Sequence, residues 1–324
     1  MVRLRMLAAL FALAAACLPL AGHAADFPTR PVKLVVPLGA GSATDLLARQ
    51  MAQWLQEEWK QPVLVDNRPG AGGIVAADYV AKQPADGYTL LLTGSSFVIA
   101  PLLDKSVGTR FERELQPVAQ LAVLRIVLAT NTAVPASSLQ DFAALSRAKP
   151  GQMNFAGLGR TSIIDTGVSV LAKGLNMDLT PVAYKGAADH ITALIRNDVQ
   201  LVWGGAIVMK EQLATGKIRI LATVSDHRFS DLPDVPSITE AGYKGFIPKV
   251  WTGLIAPTAT PAPVMARITE DVNRILARPQ AVHVLQDVLG NDPAPLAPGQ
   301  FAKNIAAERK FWTGTFKELG IEPQ

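Results

Sequence analysis

The sequence predicts a two-domain α/β protein, and three observations lead to that prediction. Short aliphatic runs alternate with amphipathic stretches along most of the chain, as strands and helices do around largely parallel sheets. The length of 324 residues exceeds the ~100–200 residues of a usual domain. Hydrophobic residues make up 49% of the chain and charged residues 18%, which is typical of a globular protein and not of a disordered one.

The first residues have the pattern of a secretory signal peptide. A short positive region is followed by an apolar run from Met6 to Leu20 and by small residues that lead up to Ala24. We expect residues 1–24 to be removed on export, because this run is short of the ~20 residues that a membrane-spanning helix needs. A retained membrane anchor is the alternative, and lipid attachment at Cys17 is a further, less favoured one.

Hydrophobic periodicity places the elements in order along the remaining chain. Strands are predicted at Val32–Pro37, Val63–Val65, Tyr88–Thr93, Ile126–Thr130, Met153–Ala156, Val199–Trp203 and Ile218–Thr223. A helix is predicted at Thr44–Trp59, and a second helix follows Gly73 and runs through Tyr79. Further helices are predicted at Leu139–Ala148 and Asp189–Ile195. From Pro263, which suits a first helical turn, the chain is predicted to be nearly all helical, at Val264–Ala277, Gln280–Leu289 and Phe301–Leu319.

Two glycine-rich segments in different halves of the chain are built alike. Gly39-Ala40-Gly41-Ser42 precedes Asp45, and Gly157-Leu158-Gly159-Arg160-Thr161-Ser162 precedes Asp165. Each Ser stands three residues before an Asp, which predicts a capping box at the start of a helix. The free N–H groups at such a helix end bind anions, and ligands of open α/β sheets bind where strands end. Ordinary helix capping is the alternative for either segment, whereas the pair suggests two domains that close on one anion.

Two further residues are candidates for ligand contact. Arg160 lies inside the second glycine-rich segment, where its guanidinium could pair with a carboxylate through two hydrogen bonds. Trp203 and Gly204 end a predicted strand, so the indole could lie against a ligand. A surface arginine and a buried core tryptophan are the respective alternatives.

Other functional classes lack their usual signatures. The sequence contains neither a Gly-x-Ser-x-Gly elbow nor a Gly-Lys-Ser/Thr phosphate loop, and its histidines have no metal-ligand spacing. The formal net charge is only +4, and no run of Lys and Arg exceeds two residues, which argues against nucleic-acid binding. We therefore expect no catalytic residues, cofactor or metal, and an exported hydrolase is the less favoured alternative.

Several motifs together resemble one known family. They are Phe27-Pro-Thr-Arg-Pro31, Pro37-Leu-Gly-Ala-Gly-Ser-Ala-Thr-Asp45-Leu-Leu-Ala-Arg49, Val65-Asp-Asn-Arg-Pro-Gly-Ala-Gly-Gly73, Asp86-Gly-Tyr-Thr-Leu90, Tyr184-Lys-Gly186, Leu232-Pro-Asp-Val-Pro236, Glu240-Ala-Gly242 and Trp251-x-Gly253-x-x-Ala256-Pro257. From Phe27 to its C-terminus, the sequence resembles the Bug, or TctC, family. These proteins are periplasmic solute-binding receptors of tripartite tricarboxylate transporters.

The resemblance implies a type II periplasmic binding protein, a "Venus flytrap" of two domains. Residues 25–124 and 251–324 would form domain 1, with the C-terminal helices returning to it, and residues 125–250 would form domain 2. It also implies a non-enzymatic, monomeric receptor that holds a small organic anion, expected to be a carboxylate, in the cleft between the domains. The receptor would deliver this ligand to membrane permease subunits; a sensory receptor for the same ligands is the alternative.

The ligand contacts implied by the resemblance divide between the two domains. Domain 1 is expected to contribute Leu38, Gly39, Ala40, Gly41, Ser42, Asp45, Thr93, Ser95 and Ser96, and domain 2 is expected to contribute Arg160, Thr161, Ser162, Trp203 and Gly204. The family usually has Ser where Arg160 stands and His where Ile163 stands. We therefore expect domain 2 to contact an end of the ligand that differs chemically from the one that the family usually binds.

Overall fold

A computed structural model describes residues 27–107, 109–159, 162–184, 186–247, 249–318 and 321–322. Its strands are β1 (Val32–Val36), β2 (Val63–Asn67), β3 (Thr89–Gly94), β4 (Leu115–Leu124), β5 (Ile126–Asn131), β6 (Asn154–Gly157), β7 (Thr180–Ala183), β8 (Val202–Gly205), β9 (Ile218–Thr223), β10 (Trp251–Pro257) and β11 (Asn291–Leu296).

The α-helices are α1 (Ala43–Trp59), α2 (Ile74–Ala81), α3 (Ser96–Leu103), α4 (Arg110–Glu114), α5 (Leu139–Ala148), α6 (Ile163–Gly174), α7 (Ala187–Arg196), α8 (Ala206–Leu213), α9 (Ala262–Leu276), α10 (Pro279–His283) and α11 (Pro298–Glu318). A short 3₁₀ turn (Ala71–Gly73) precedes α2, and a π-helical turn (Val284–Val288) follows α10.

Domain 1 is built on a six-stranded sheet with the order β11-β4-β10-β3-β1-β2. Its strands come from both ends of the described chain, since β1 to β4 precede the other domain and β10 and β11 follow it. Apolar side chains of α1, such as Leu47 and Met51, and of α9, such as Ile268 and Val272, share one core cluster with the strands. This packing buries one face of the sheet, as hydrophobic burial requires.

Domain 2 contains the remaining strands. β5 lies between β8 and β9 in a three-stranded antiparallel sheet, and β6 pairs with β7 in parallel. A bridge between Phe155 and Leu201 connects the two groups of strands. The chain enters this domain at Arg125, directly between β4 and β5, and leaves it before β10. The division at residues 125 and 250 stays a prediction.

Polar side chains stabilise both crossings, the two places where the chain passes between the domains. Arg125 is only 7% exposed, forms an ion pair with Asp231 of domain 2 and lies 4.0 Å from Asp292 of domain 1. At the return crossing, the Ser95 hydroxyl donates to the carbonyl of Lys249 at 2.9 Å and accepts from the backbone N–H of Trp251 at 3.3 Å. Each crossing is therefore held by hydrogen bonds to neighbouring elements.

The C-terminal helices return to domain 1, as predicted. In α11, the buried carboxylate of Glu308 accepts from the indole N–H of Trp251 at 2.6 Å and from that of Trp312 at 3.2 Å. Burial raises the pKa of Glu308 to about 7, although the two hydrogen bonds act in the opposite direction. Because Trp251 begins β10, this carboxyl group connects the last helix to the sheet.

Two expectations from the sequence are wrong. Five of the eight strand pairs among the described residues are antiparallel, so the sheets are not largely parallel. The reason is that the chain runs from β4 straight into β5 and later returns through β10, which lies antiparallel to its neighbours. The tail is also not all helical, because β11 interrupts it; its two prolines are tolerated at the edge of the sheet.

Candidate functional site

A cleft with a cavity volume of about 300 Å³ lies between the two domains. From domain 1 it is lined by Pro37, Leu38, Ala43, Thr44, Leu47, Gly72, Gly73, Thr93, Gly94, Ser95, Ser96, Trp251, Thr252 and Asn291. From domain 2 it is lined by Leu158, Ser162, Ile163 and Ile164, and Leu124 and Val250 lie at the crossings. Both glycine-rich segments therefore reach the same cavity.

The first glycine-rich segment ends in an open helix N-terminus. Gly41 has a φ of 81°, a left-handed conformation that suits glycine, and it turns the chain into α1. The Ser42 hydroxyl caps the helix by accepting from the Asp45 N–H at 3.2 Å. The backbone N–H groups of Ala43 and Thr44 have no hydrogen-bond partner among the described residues, and both residues line the cavity. These two donors are available to a ligand.

The second segment repeats this arrangement at α6. Gly159 has a φ of 106°, and the Ser162 hydroxyl accepts from the Asp165 N–H at 3.1 Å. Within the described part of the chain, the N–H groups of Ile163 and Ile164 are again without a partner, and both residues line the cavity. Each domain thus presents a helix end with free donors and a partial positive charge to one cleft.

The reciprocal half of both predicted capping boxes is wrong. The Asp45 carboxylate accepts from the N–H of Gly41 at 2.8 Å, and the Asp165 carboxylate accepts from the N–H of Leu158 at 2.8 Å and from the Ser162 hydroxyl at 2.6 Å. In each segment the Ser N–H bonds instead to the carbonyl three residues earlier, because the left-handed glycine folds the segment on itself. Each carboxylate therefore stabilises the turn of its own glycine-rich segment.

Asp45 organises domain 1 without lining the cavity. It is 1% exposed, and its carboxylate also accepts from Arg49 Nε and Asn67 Nδ2, both at 2.9 Å. Burial opposes ionisation, but the hydrogen bonds from Arg49, Gly41 and Asn67 outweigh it and hold the pKa of Asp45 below its usual value. Since its acceptor positions are occupied by protein donors, the geometry gives Asp45 a positioning role, and ligand contact at Asp45 stays a prediction.

Hydroxyl groups form the domain 1 side of the cleft. Thr93, Ser96 and Thr252 line the cavity with hydroxyls that bond to no described residue, whereas the Ser95 hydroxyl is engaged at the crossing. Asn291 also lines the cavity, and its side-chain N–H₂ group donates to the Leu289 carbonyl at 2.8 Å. Sequence reasoning missed Thr252 and Asn291, because neither belongs to a motif near the other site residues.

The remaining expected contacts are not among the described residues that line the cavity. Arg160 and Thr161 fall outside the described residues. Gly39, Ala40 and Gly41 form the exposed turn before α1 and are not among the residues that line the cavity.

Trp203 is 2% exposed and packs against Gly167, and Gly204 packs against Met209. Both are apart from the cavity lining, so the alternative of a core tryptophan describes Trp203 in this structure. Ligand contact at Trp203 and Gly204 stays a prediction.

The described residues that line the cleft offer a ligand neutral hydrogen-bond donors. Among the described residues that line it, none has a charged side chain. A search of the described part of the chain finds no group of three His, Cys, Asp or Glu residues placed to hold a metal ion. It also finds no helix of the length and hydropathy needed to span a bilayer.

Comparison with known proteins identifies the family. Residues 47–321 match the model of the "Tripartite tricarboxylate transporter family receptor", TctC. Protein BugT of Bordetella pertussis is 32% identical over 300 residues, which cover 91% of each chain.

Two solved structures share the fold. R. palustris Rpa4515 with adipate has a TM-score of 0.83 and 30% identity, over 92% of this chain and 100% of its own. MatC from Rhodopseudomonas palustris with bound malate has a TM-score of 0.78 and 30% identity, over 89% and 99% respectively. The predicted two-domain periplasmic binding-protein fold is confirmed. By sequence and by fold, the chain belongs to the TctC, or Bug, family of periplasmic solute-binding receptors.

Proposed function

We propose that this receptor captures a small carboxylate in the cleft and delivers it to the permease subunits of a tripartite tricarboxylate-type transporter. One observation supports the ligand class: the first two residues of two helices, one from each domain, line a single cavity, and their N–H groups have no partner among the described residues. Such helix ends bind carboxylates without a charged side chain. The adipate and malate held by Rpa4515 and MatC support the same ligand class.

We also propose that the receptor acts in the periplasm after removal of residues 1–24, which lie outside the described part of the chain. Its membership of a periplasmic family supports this location. Loss of carboxylate uptake on deletion of the gene, with restoration by the plasmid-borne receptor, is the expected result for a transport role.

Ligand binding is tested by thermal unfolding of residues 25–324 with mono-, di- and aromatic carboxylates. A ligand at a hundred times its Kd adds about 2.7 kcal/mol to the free energy of unfolding. With an unfolding entropy of about 2.1 cal/mol/K per residue, the midpoint of a chain of this size then rises by roughly 4 °C. No shift with any carboxylate would contradict the proposal.

Proline substitution tests the two helix ends directly. Ala43 and Ile163 are the first residues of their helices, a position where proline removes the N–H donor but is tolerated by the helix. We expect Ala43→Pro and Ile163→Pro each to weaken carboxylate binding by roughly tenfold to a hundredfold, as for loss of a hydrogen bond to a charged group.

Ala262→Pro is the matched control for both variants. Ala262 is exposed and is the first residue of α9, away from the cleft lining. Its substitution is expected to leave the affinity unchanged. Equal affinity in all three variants would show that the helix ends do not hold the ligand.

A further inference from the structure

Aliphatic side chains stand at the cleft where the two loops face it. Leu38 in the first glycine-rich segment is 46% exposed, and Leu158 in the second is 42% exposed. Both line the cavity, and they hold corresponding places, one before Gly39 and one before Gly159. Large exposed apolar side chains inside a concave site indicate apolar ligand surface that covers them.

The described part of the domain 2 wall is apolar between its N–H donors. Its described lining residues are Leu158, Ser162, Ile163 and Ile164. The Ser162 hydroxyl is already used, since it donates to the Asp165 carboxylate at 2.6 Å and accepts from the Asp165 N–H. Beyond backbone groups, these four described residues therefore offer a ligand only hydrocarbon contact.

Among the described lining residues, the hydroxyls without a hydrogen-bond partner belong to domain 1. Thr44, Thr93, Ser96 and Thr252 all come from domain 1. A hydroxyl on the ligand that faces the side chains of Leu158 and Ile163 would give up its hydrogen bonds to water and find no side-chain partner among the described residues of this wall. A hydrophobic pocket discriminates against such an added hydroxyl by up to about a hundredfold.

We propose that the ligand is a carboxylate whose body is an unsubstituted hydrocarbon, and that this cleft rejects the hydroxylated counterparts. The anionic end is held by the helix N–H groups, and the hydrocarbon body lies against Leu38, Leu158 and Ile163. This inference rests on the proposed function, since it specifies the class of carboxylate that the same site takes.

Matched pairs of ligands test the proposal by calorimetric titration of the full mature chain. Adipate is compared with 3-hydroxyadipate, and succinate with malate, because each pair differs by one hydroxyl at equal charge. We expect the unsubstituted member to bind about tenfold to a hundredfold more tightly in whichever pair binds. Equal or tighter binding of the hydroxylated member overturns the inference while the proposed function stands. If neither member of either pair binds, and benzoate and hexanoate also fail, both the inference and the proposed function are overturned.

A substitution in the domain 2 wall tests whether this wall causes the preference for the unsubstituted carboxylate. Ile163→Thr replaces the ethyl branch on Cβ by a hydroxyl and so places a hydrogen-bonding group in this wall, and the preference should fall to less than threefold. Val208→Thr makes a similar change at a 37% exposed position of α8 outside the cleft, and it should retain the full preference. An unchanged preference in Ile163→Thr overturns the assignment to this wall.

Discussion

The stability of this receptor should fall with rising pH because of a single buried carboxyl group. Glu308 has a folded-state pKa of about 7, against an ordinary value of 4.5. The folded protein therefore binds the Glu308 proton more tightly than the unfolded chain does. The associated stability is fully present below pH 4.5 and is lost as pH rises through 7. The difference between the two pKa values corresponds to about 3 kcal/mol.

Urea unfolding of the wild type and of Glu308→Gln, from pH 4.5 to 8, measures this effect. Glutamine cannot ionise, and its amide oxygen can still accept from an indole. We expect the wild type to lose about 3 kcal/mol of unfolding free energy relative to the variant over this range. Other groups titrate equally in both proteins, including His190, whose pKa burial lowers, so the difference between the curves isolates Glu308.

Glu318→Gln serves as the control, because that side chain lies on the same helix and is 70% exposed. Its curve should run parallel to that of the wild type. If the Glu308→Gln curve also runs parallel, Glu308 is not protonated in the folded state near neutral pH, and the reasoning fails.

Three further substitutions test other contacts. Asp45→Asn weakens the acceptor for the Gly41 N–H and should cost about 1–3 kcal/mol in urea unfolding, together with ligand affinity; an unchanged urea midpoint contradicts this. Gly167→Ala places a Cβ 2.9 Å from the Trp203 ring and should cost about 1–3 kcal/mol of thermal stability, whereas a neutral result means that the ring can shift. Arg125→Met removes the guanidinium that lies between Asp231 and Asp292, and the loss of about 1–3 kcal/mol should shrink at high salt; salt-independent loss points to packing instead.

Elements with strong local signals could be predicted from the sequence. The bounds of β9 and α5 are those predicted, because an aliphatic run marks the strand and a Ser138–Asp141 capping box begins the helix. β4 was missed because Gln116, Pro117 and Gln120 interrupt its apolar pattern. Its residues are buried by neighbouring strands from much later in the chain, which local periodicity does not report.

The site was predictable where it is local in sequence. The spacing of Gly, Ser and Asp indicated both helix ends. It did not indicate that the Asp45 carboxylate would accept a hydrogen bond from the Gly41 N–H, since that depends on the left-handed turn. Thr252 and Asn291 reach the cleft only through the return of the chain into the first sheet. They come close to the other site residues because of the order of strands in the sheet. No spacing between residues in the sequence indicates that order.

The acid-held loops bear on how affinity is obtained. A glycine-rich segment is costly to immobilise, because glycine loses more conformational freedom than any other residue. The carboxylates of Asp45 and Asp165 offset this entropic cost during folding, because each accepts a hydrogen bond from a backbone N–H of its own segment. The N–H donors of these segments are therefore already ordered before a ligand binds, so binding costs less conformational entropy. Substitution of either acid should therefore weaken binding through loop disorder, although neither carboxylate lines the cavity.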